Sequence, residues 1–158
     1  MRLYVCEASG GYRLALPKEV LDCARDCAGQ VFSKGRLIKS PADAAELFVS
    51  KLTSLESERF VVLFLNQKHR ILGYEELFYG TIDTSAVHPR EVVKRALFHN
   101  AAAVILGHNH PSGHIVASDN DVSITQRLKV AMALIDVTVL DHFVIGDGHT
   151  SMAESGLC

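Results

Sequence analysis

Residues 102–113 read Ala-Ala-Val-Ile-Leu-Gly-His-Asn-His-Pro-Ser-Gly, a short apolar run that ends in two histidines and a turn. The run predicts a buried β-strand over residues 102–106. In extended backbone, side chains two residues apart lie on the same side, so His108 and His110 project together while Asn109 points away. The strand therefore predicts a pair of imidazoles that could bind one metal ion.

Asp121 is the candidate for a third ligand. It follows a loop that contains Pro111 and Gly113, which allow the chain to fold back towards the histidines. Two histidines and an aspartate leave a fourth position open, as in catalytic zinc sites. The alternatives are a His-x-His pair that binds nothing and a plain helix start, with Ser118 as N-cap and Asp121 in the first turn. The helix start is compatible with metal binding, because it holds a ligand rigidly.

The order His108-x-His110, seven further residues, Ser118, two more and Asp121 resembles the JAMM motif of the JAB/MPN metalloprotease superfamily. The resemblance implies that His108, His110 and Asp121 bind Zn²⁺ and that Ser118 assists the tetrahedral intermediate. It implies hydrolysis of a peptide or isopeptide bond, with a peptide or protein as the partner.

The wider context is similar to the RadC branch of this superfamily, over about residues 40–158. It includes His88-Pro89-Arg90-Glu91-Val92 and Leu140-Asp141-His142. The resemblance divides the chain into an extension of unknown role, residues 1–39, and a RadC-like JAB/MPN domain, residues 40–158. It implies a JAB/MPN-like, cytidine-deaminase-like fold.

The superfamily also implies a glutamate that takes a proton from the attacking water and returns it to the leaving amine. The segment from Tyr74 to Thr81 resembles RadC-like chains and places this role at Glu75. Glu76 follows directly, and alternation along a strand sends the two carboxylates to opposite faces. Only one of them can reach the metal, and Glu76 is expected to meet solvent. Without the motif downstream, either would be interpreted as a solvated strand carboxylate.

Periodicity along the chain predicts an α/β (α+β) fold in which helices sandwich a mixed sheet. A hairpin is expected over residues 2–16, around Ser9. The expected helices are 17–28, 41–52, one starting at 89, and 118–134. The expected strands are 59–66, 70–79, 102–106 and 137–145.

Composition supports one compact domain with a substantial core, since 48% of the 158 residues are hydrophobic and 22% are charged. The longest apolar runs, 60–65 and 101–106, are too short to cross a bilayer, and Met1 does not open a secretory signal, so a cytoplasmic location is expected. Four cysteines do not make a disulfide framework, and the spacing of Cys23 and Cys27 places them on one helix face as reduced thiols.

Two other functions are alternatives. The RadC resemblance suggests a module for DNA repair or DNA binding without protease activity. The net charge of −2 gives little general attraction to phosphates, although residues 1–39 are locally basic. A non-catalytic MPN-like scaffold is disfavoured, because no ligand of the motif is missing.

Several polar residues remain outside this assignment. Asp141-His142 could orient a ligand imidazole or form a hydrogen-bonded core pair. His69, His99 and His149 are expected at the surface without a role. The loop departs from the RadC-like pattern at His114, usually acidic, and at Ala117, usually proline.

Overall fold

The chain combines helices and strands in a computed structural model that describes residues 3–7, 10–31, 34–53, 55–80 and 87–158. The helices are α1 (Pro17–Val31), α2 (Pro41–Leu52), α3 (Pro89–Phe98) and α4 (Asp119–Ala133). The strands are β1 (Tyr4–Cys6), β2 (Tyr12–Leu14), β3 (Arg59–Leu65), β4 (Ile71–Tyr79), β5 (Ala103–Asn109), β6 (Thr138–Ile145) and β7 (His149–Ser151).

Five strands form one mixed sheet in the order β4-β3-β5-β6-β7, and β1 and β2 pair as a separate hairpin. β5 and β6 are parallel, whereas β3 runs antiparallel to both β4 and β5. A parallel pair needs a crossover connection, and α4 supplies it here. The crossover brings the start of α4 to the end of β5, where the histidine pair lies.

Helices cover both faces of this sheet, which confirms the predicted fold class. α2 packs on one face, over alternate side chains of β3 and β5 such as Val61 and Ile105. α3 and α4 pack on the other face, over the intervening side chains such as Val62 and Leu106. β3 is buried on both sides, as its continuous apolar run requires.

Local signals set the helix starts. α2 begins after Ser40, whose hydroxyl accepts from the Asp43 backbone N–H, and Pro41 occupies its first turn. α4 begins in the same way after Ser118, with Asp121 as the reciprocal partner. Both are capping boxes, and the second builds part of the functional site.

In the helices and the five-stranded sheet, two predicted ends differ from the structure by more than one residue. α1 continues past the predicted end to Val31, and β5 continues through His108 to Asn109 because it pairs with both neighbouring strands. The short strand β7 was not predicted. The hairpin at the start is present as β1 and β2, while Ser9 in its turn and Thr81 after β4 lie outside the described residues.

Two further sequence features can be placed. Cys6, Cys23 and Cys158 form no disulfide among the described residues, whereas the Cys27 side chain lies outside the described part of the chain. Among the described residues, the helices are too short or too polar for any of them to cross a membrane.

Candidate metal centre

The three predicted ligands converge at the end of β5. The His108 Nε2 atom lies 3.0 Å from His110 Nε2 and 3.3 Å from Asp121 Oδ1. The His110 Nε2 atom lies 3.7 Å from Asp121 Oδ2. In a tetrahedral site with zinc–ligand bonds of about 2.0–2.1 Å, neighbouring ligand atoms are about 3.3 Å apart. The spacing of the two imidazole nitrogens and the carboxylate fits zinc.

The capping box of α4 orients the Asp121 carboxylate. The Ser118 backbone N–H and hydroxyl both donate to Asp121 Oδ2, each over 2.7 Å. Oδ1 is buried and accepts no hydrogen bond. A buried carboxylate oxygen without a donor is costly, and a metal ion is a partner that would offset the cost. The predicted N-cap role of Ser118 is therefore what holds the ligand in place.

His110 is oriented by the loop that follows it. Its Nδ1 atom lies 3.0 Å from the His114 backbone carbonyl, which can only accept, so Nδ1 carries the hydrogen. In the neutral imidazole the Nε2 lone pair is then free to face a metal. The His114 side chain is exposed, so this departure from the family pattern contributes its backbone and not its imidazole.

The ionisable side chains at the centre shift one another's pKa. The neighbouring Asp121 carboxylate raises the pKa of the His110 imidazole. Burial raises the pKa of Asp121, but the adjacent imidazoles of His108 and His110 outweigh burial and hold its pKa below the ordinary range. Asp121 is therefore an anion at neutral pH, as a metal ligand must be.

Glu75, the glutamate that the resemblance selected, does not join this group. It pairs with Val62 on β3, which pairs with Leu106 on β5, so it lies two strands across from β5 and two residues before His108. From the spacing of residues and strands in a sheet, the Cα atoms of Glu75 and His108 are about 12 Å apart. The Glu75 carboxylate is bound instead by Arg95 and His99 of α3.

The prediction that His99 lies at the surface is wrong. Its side chain is 14% exposed, and its Nε2 atom lies 2.6 Å from Glu75 Oε1. The ring stacks on Phe64 at 4.6 Å and covers Gly73, where a Cβ atom would come within 2.4 Å of the imidazole. His99 is one member of an ion cluster that ties the edge strand β4 to α3. His69 and His149 are exposed, as predicted.

Glu58 was not selected from the sequence, although it is close to the metal centre. Phe60 pairs with His108 in antiparallel register, so continuing the pairing by two residues sets Glu58 opposite His110 on the same face. The negative charge of Glu58 is close enough to raise the pKa of His110. The sequence signal was a glutamate directly before the first buried strand, but it has meaning only once the pairing of β3 with β5 is known.

Asn109 ties this glutamate to the metal ligands. It lies between His108 and His110 and points to the opposite face, as predicted. Its Oδ1 atom accepts from the Arg59 backbone N–H over 2.8 Å, and its Nδ2 atom donates to the Ser57 carbonyl over 3.2 Å. The two bonds clamp the backbone on both sides of Glu58.

A cleft of about 250 Å³ opens beside His110, on the α2 side of the sheet. Its lining includes Leu55, Asn109, Pro111 and Asp147. The cleft therefore reaches His110, which is the only member of the His108, His110 and Asp121 group that is not fully buried.

Two alternative roles are predicted for Asp141-His142 from the sequence, and each of the two residues has one of them. The Asp141 carboxylate accepts from the Ser151 hydroxyl over 2.6 Å and from the Ala153 backbone N–H over 3.0 Å, so it holds the C-terminal segment. His142 points to the other face, and its Nε2 atom lies 2.8 Å from His108 Nδ1. Asp141 is a structural core residue, whereas His142 contacts a ligand imidazole.

Comparison with known proteins agrees with this arrangement. Residues 38–157 match the family model described as a RadC-like JAB domain. The chain is 47% identical over 148 residues to a UPF0758 protein of Thioalkalivibrio sulfidiphilus, which covers 94% of this chain and 66% of that protein. It is 56% identical over 124 residues to a UPF0758 protein of Xylella fastidiosa, which covers 78% of this chain and 55% of that protein.

The chain thus spans less than two thirds of the length of these relatives, and their names state no activity. The matched family region contains the whole His108, His110 and Asp121 group as well as Glu58 and Glu75. The chain belongs to the family of RadC-like JAB domains.

Proposed function

We propose that this domain is a zinc-dependent hydrolase of peptide or isopeptide bonds. The observation that carries the proposal is the convergence of two imidazole nitrogens, 3.0 Å apart, with a carboxylate whose two oxygens lie 3.3 and 3.7 Å from them. Three atoms that each present lone pairs repel one another unless a cation lies between them. Three protein ligands also leave one position for water, as in catalytic zinc sites.

His108, His110 and Asp121 would hold the zinc ion. When bound there, zinc lowers the pKa of a coordinated water and polarises a substrate carbonyl. The chain itself has to supply a group that accepts a proton from the attacking water and delivers it to the leaving amine. It also has to keep the three ligands deprotonated and oriented, which the contacts to His114, His142 and Ser118 favour.

For the general base we propose Glu58 in preference to Glu75. A general base has to lie within hydrogen-bond reach of the reacting water, directly or through one further water. Glu58 sits opposite a ligand in the strand register, and its backbone is clamped on both sides by Asn109. Glu75 is two strands away and already engaged by two cationic partners. The catalytic role of Glu75 remains a prediction, and the experiment that tests Glu58 also tests it.

The test measures bound zinc and amide hydrolysis in the purified protein and its variants. We expect one zinc per chain in the wild type and in Glu58→Gln, and its loss in His108→Ala. A library of fluorogenic peptides and lysine-isopeptide conjugates would supply the substrates. Loss of a general base costs about 10²–10⁴ in rate, so Glu58→Gln should lower kcat by that factor with zinc retained.

Glu75→Gln is the matched control, since it makes the same chemical change on the same face of the sheet. We expect it to keep both zinc and kcat. A kcat lost in Glu75→Gln and kept in Glu58→Gln would assign the base to Glu75. Zinc-free wild-type protein whose properties do not change in His108→Ala would overturn the hydrolase proposal itself.

A further inference from the structure

Three short contacts form a chain behind His108, on the side of the imidazole away from the metal position. His108 Nδ1 lies 2.8 Å from His142 Nε2, and His142 Nδ1 lies 2.6 Å from the Thr125 hydroxyl oxygen. The Thr125 hydroxyl in turn lies 2.6 Å from the backbone carbonyl of Asp121. The chain starts at one proposed metal ligand and ends at another.

Counting hydrogens gives this chain one direction. A carbonyl oxygen carries no hydrogen, so the 2.6 Å contact between the Thr125 and Asp121 oxygens requires Thr125 to donate, and the Thr125 oxygen must then accept from His142 Nδ1–H. His142 is fully buried, and its two ring nitrogens contact an imidazole and a hydroxyl rather than a carboxylate, so its surroundings favour the uncharged ring with a single hydrogen, and its Nε2 has none. The hydrogen in the remaining contact therefore belongs to His108 Nδ1.

We propose that Thr125 and His142 are positioning residues, which hold His108 in the tautomer whose Nε2 lone pair faces the metal. The inference rests on the metal site of the proposed function. In a neutral imidazole only one nitrogen carries hydrogen, so a hydrogen held at His108 Nδ1 leaves Nε2 available. If His142 donated to His108 and Thr125 donated to His142, the Thr125 and Asp121 oxygens would lie 2.6 Å apart with no hydrogen between them. The single hydrogen of the neutral His108 ring would then be on Nε2, the nitrogen that faces the metal position.

The position of the chain in the fold makes the arrangement rigid. Thr125 and His142 both have no exposed surface, so water cannot replace a lost partner. The three contacts join β5, β6 and α4, the elements that deliver His108 and Asp121. Hydrogen bonds from a metal ligand to a buried neighbouring side chain commonly affect the affinity for the metal.

Thr125→Val and Thr125→Ser form a matched pair for the test. Valine keeps the shape of threonine but cannot accept from His142, whereas serine keeps the hydroxyl. We expect Thr125→Val to weaken zinc binding by about 10–100-fold, the usual effect of losing such a partner. Thr125→Ser should bind zinc within about threefold of the wild type, because it can form both hydrogen bonds. Competition with a chromophoric chelator measures the dissociation constants.

Nitrogen-15 NMR of the histidines in metal-free protein gives an independent readout that a merely structural role would not change. We expect His142 to carry its hydrogen on Nδ1 in the wild type and in Thr125→Ser, and to lose this single tautomer in Thr125→Val. Urea unfolding of the metal-free proteins separates general destabilisation from the effect on zinc.

Two results would overturn the inference: His142 with its hydrogen on Nε2 in the wild type, or Thr125→Val that keeps both wild-type zinc affinity and the Nδ1 tautomer. Wild-type protein that binds no zinc would overturn the proposed function instead. The tautomer in metal-free protein would still decide the direction of the hydrogen-bond chain in that case.

Discussion

Replacing Glu75 by glutamine separates a structural role from a catalytic one. The carboxylate accepts from Arg95 Nε over 2.5 Å, from a second nitrogen of the same guanidinium, and from His99 Nε2 over 2.6 Å. These bonds join the edge strand β4 to α3. Glu75→Gln keeps the size of the side chain and removes the charge, so the electrostatic part of the cluster is what the variant tests.

The expected loss of stability follows from the type of hydrogen bond. A bond to a charged group contributes about 1.5–3 kcal/mol and a neutral one about 0.5–1.5 kcal/mol, so each bond loses about 1 kcal/mol when the charge is removed. The Glu75 side chain is 21% exposed and that of Arg95 is 35% exposed, so water screens the outer part of the cluster. We therefore expect Glu75→Gln to lower the free energy of unfolding by about 1–2 kcal/mol at pH 7.

The effect should depend on pH with a definite sign. The hydrogen bonds from Arg95 and then from His99 hold the pKa of Glu75 below its ordinary value in the folded protein. A depressed folded pKa means that the stabilisation is complete above the unfolded pKa, about 4.3, and is lost as the pH falls through the folded pKa. The difference between wild type and Glu75→Gln should therefore shrink in acid.

Urea unfolding followed by circular dichroism at several pH values measures these differences. Glu76→Gln is the control, because Glu76 lies on the opposite face with its carboxylate 3.9 Å from Arg59 and its side chain 36% exposed. We expect that control to change stability by less than about 0.5 kcal/mol. Full stability of Glu75→Gln at pH 7, together with a lost hydrolase activity, would refute the structural interpretation.

Three further substitutions test the surrounding contacts. Gly73→Ala should lower stability by about 1–3 kcal/mol in urea unfolding, because its Cβ would displace His99; an unchanged midpoint would contradict that packing. Ser118→Ala should cost about 1 kcal/mol through the lost helix cap and should also weaken zinc binding, since the hydroxyl donates to Asp121; unchanged affinity in a chelator titration would count against the orienting role. Asn109→Ala should reduce kcat with zinc retained, because the clamp on the start of β3 is lost; an unchanged kcat would argue against the proposed base.

The group of His108, His110 and Asp121 could be predicted because the relation between its members is mostly local in the sequence. Alternation along β5 placed His108 and His110 on one side, and a capping box placed Asp121 in the first turn of α4. Such signals depend on backbone geometry over a few residues, so they survive without knowledge of the fold. The same holds for most helices and strands, whose apolar periodicity is local.

Among the partners of these residues, His142 was suggested by the sequence, whereas Glu58 and Thr125 were not. Glu58 precedes β3, Thr125 lies in α4 and His142 lies in β6, and only the pairing of the strands and the packing of α4 on the sheet bring them close to the histidine pair. The family resemblance selected Glu75 as the carboxylate, and its contacts with Arg95 and His99 became visible only in the tertiary structure.

The sequence by itself thus determined the fold class and the composition of the candidate metal centre. The tertiary structure decided which carboxylate stands near that centre and which side chains support the ligands. The physical reason is that strand register and helix packing are collective properties of distant segments, whereas caps, turns and alternation depend on the backbone of neighbouring residues.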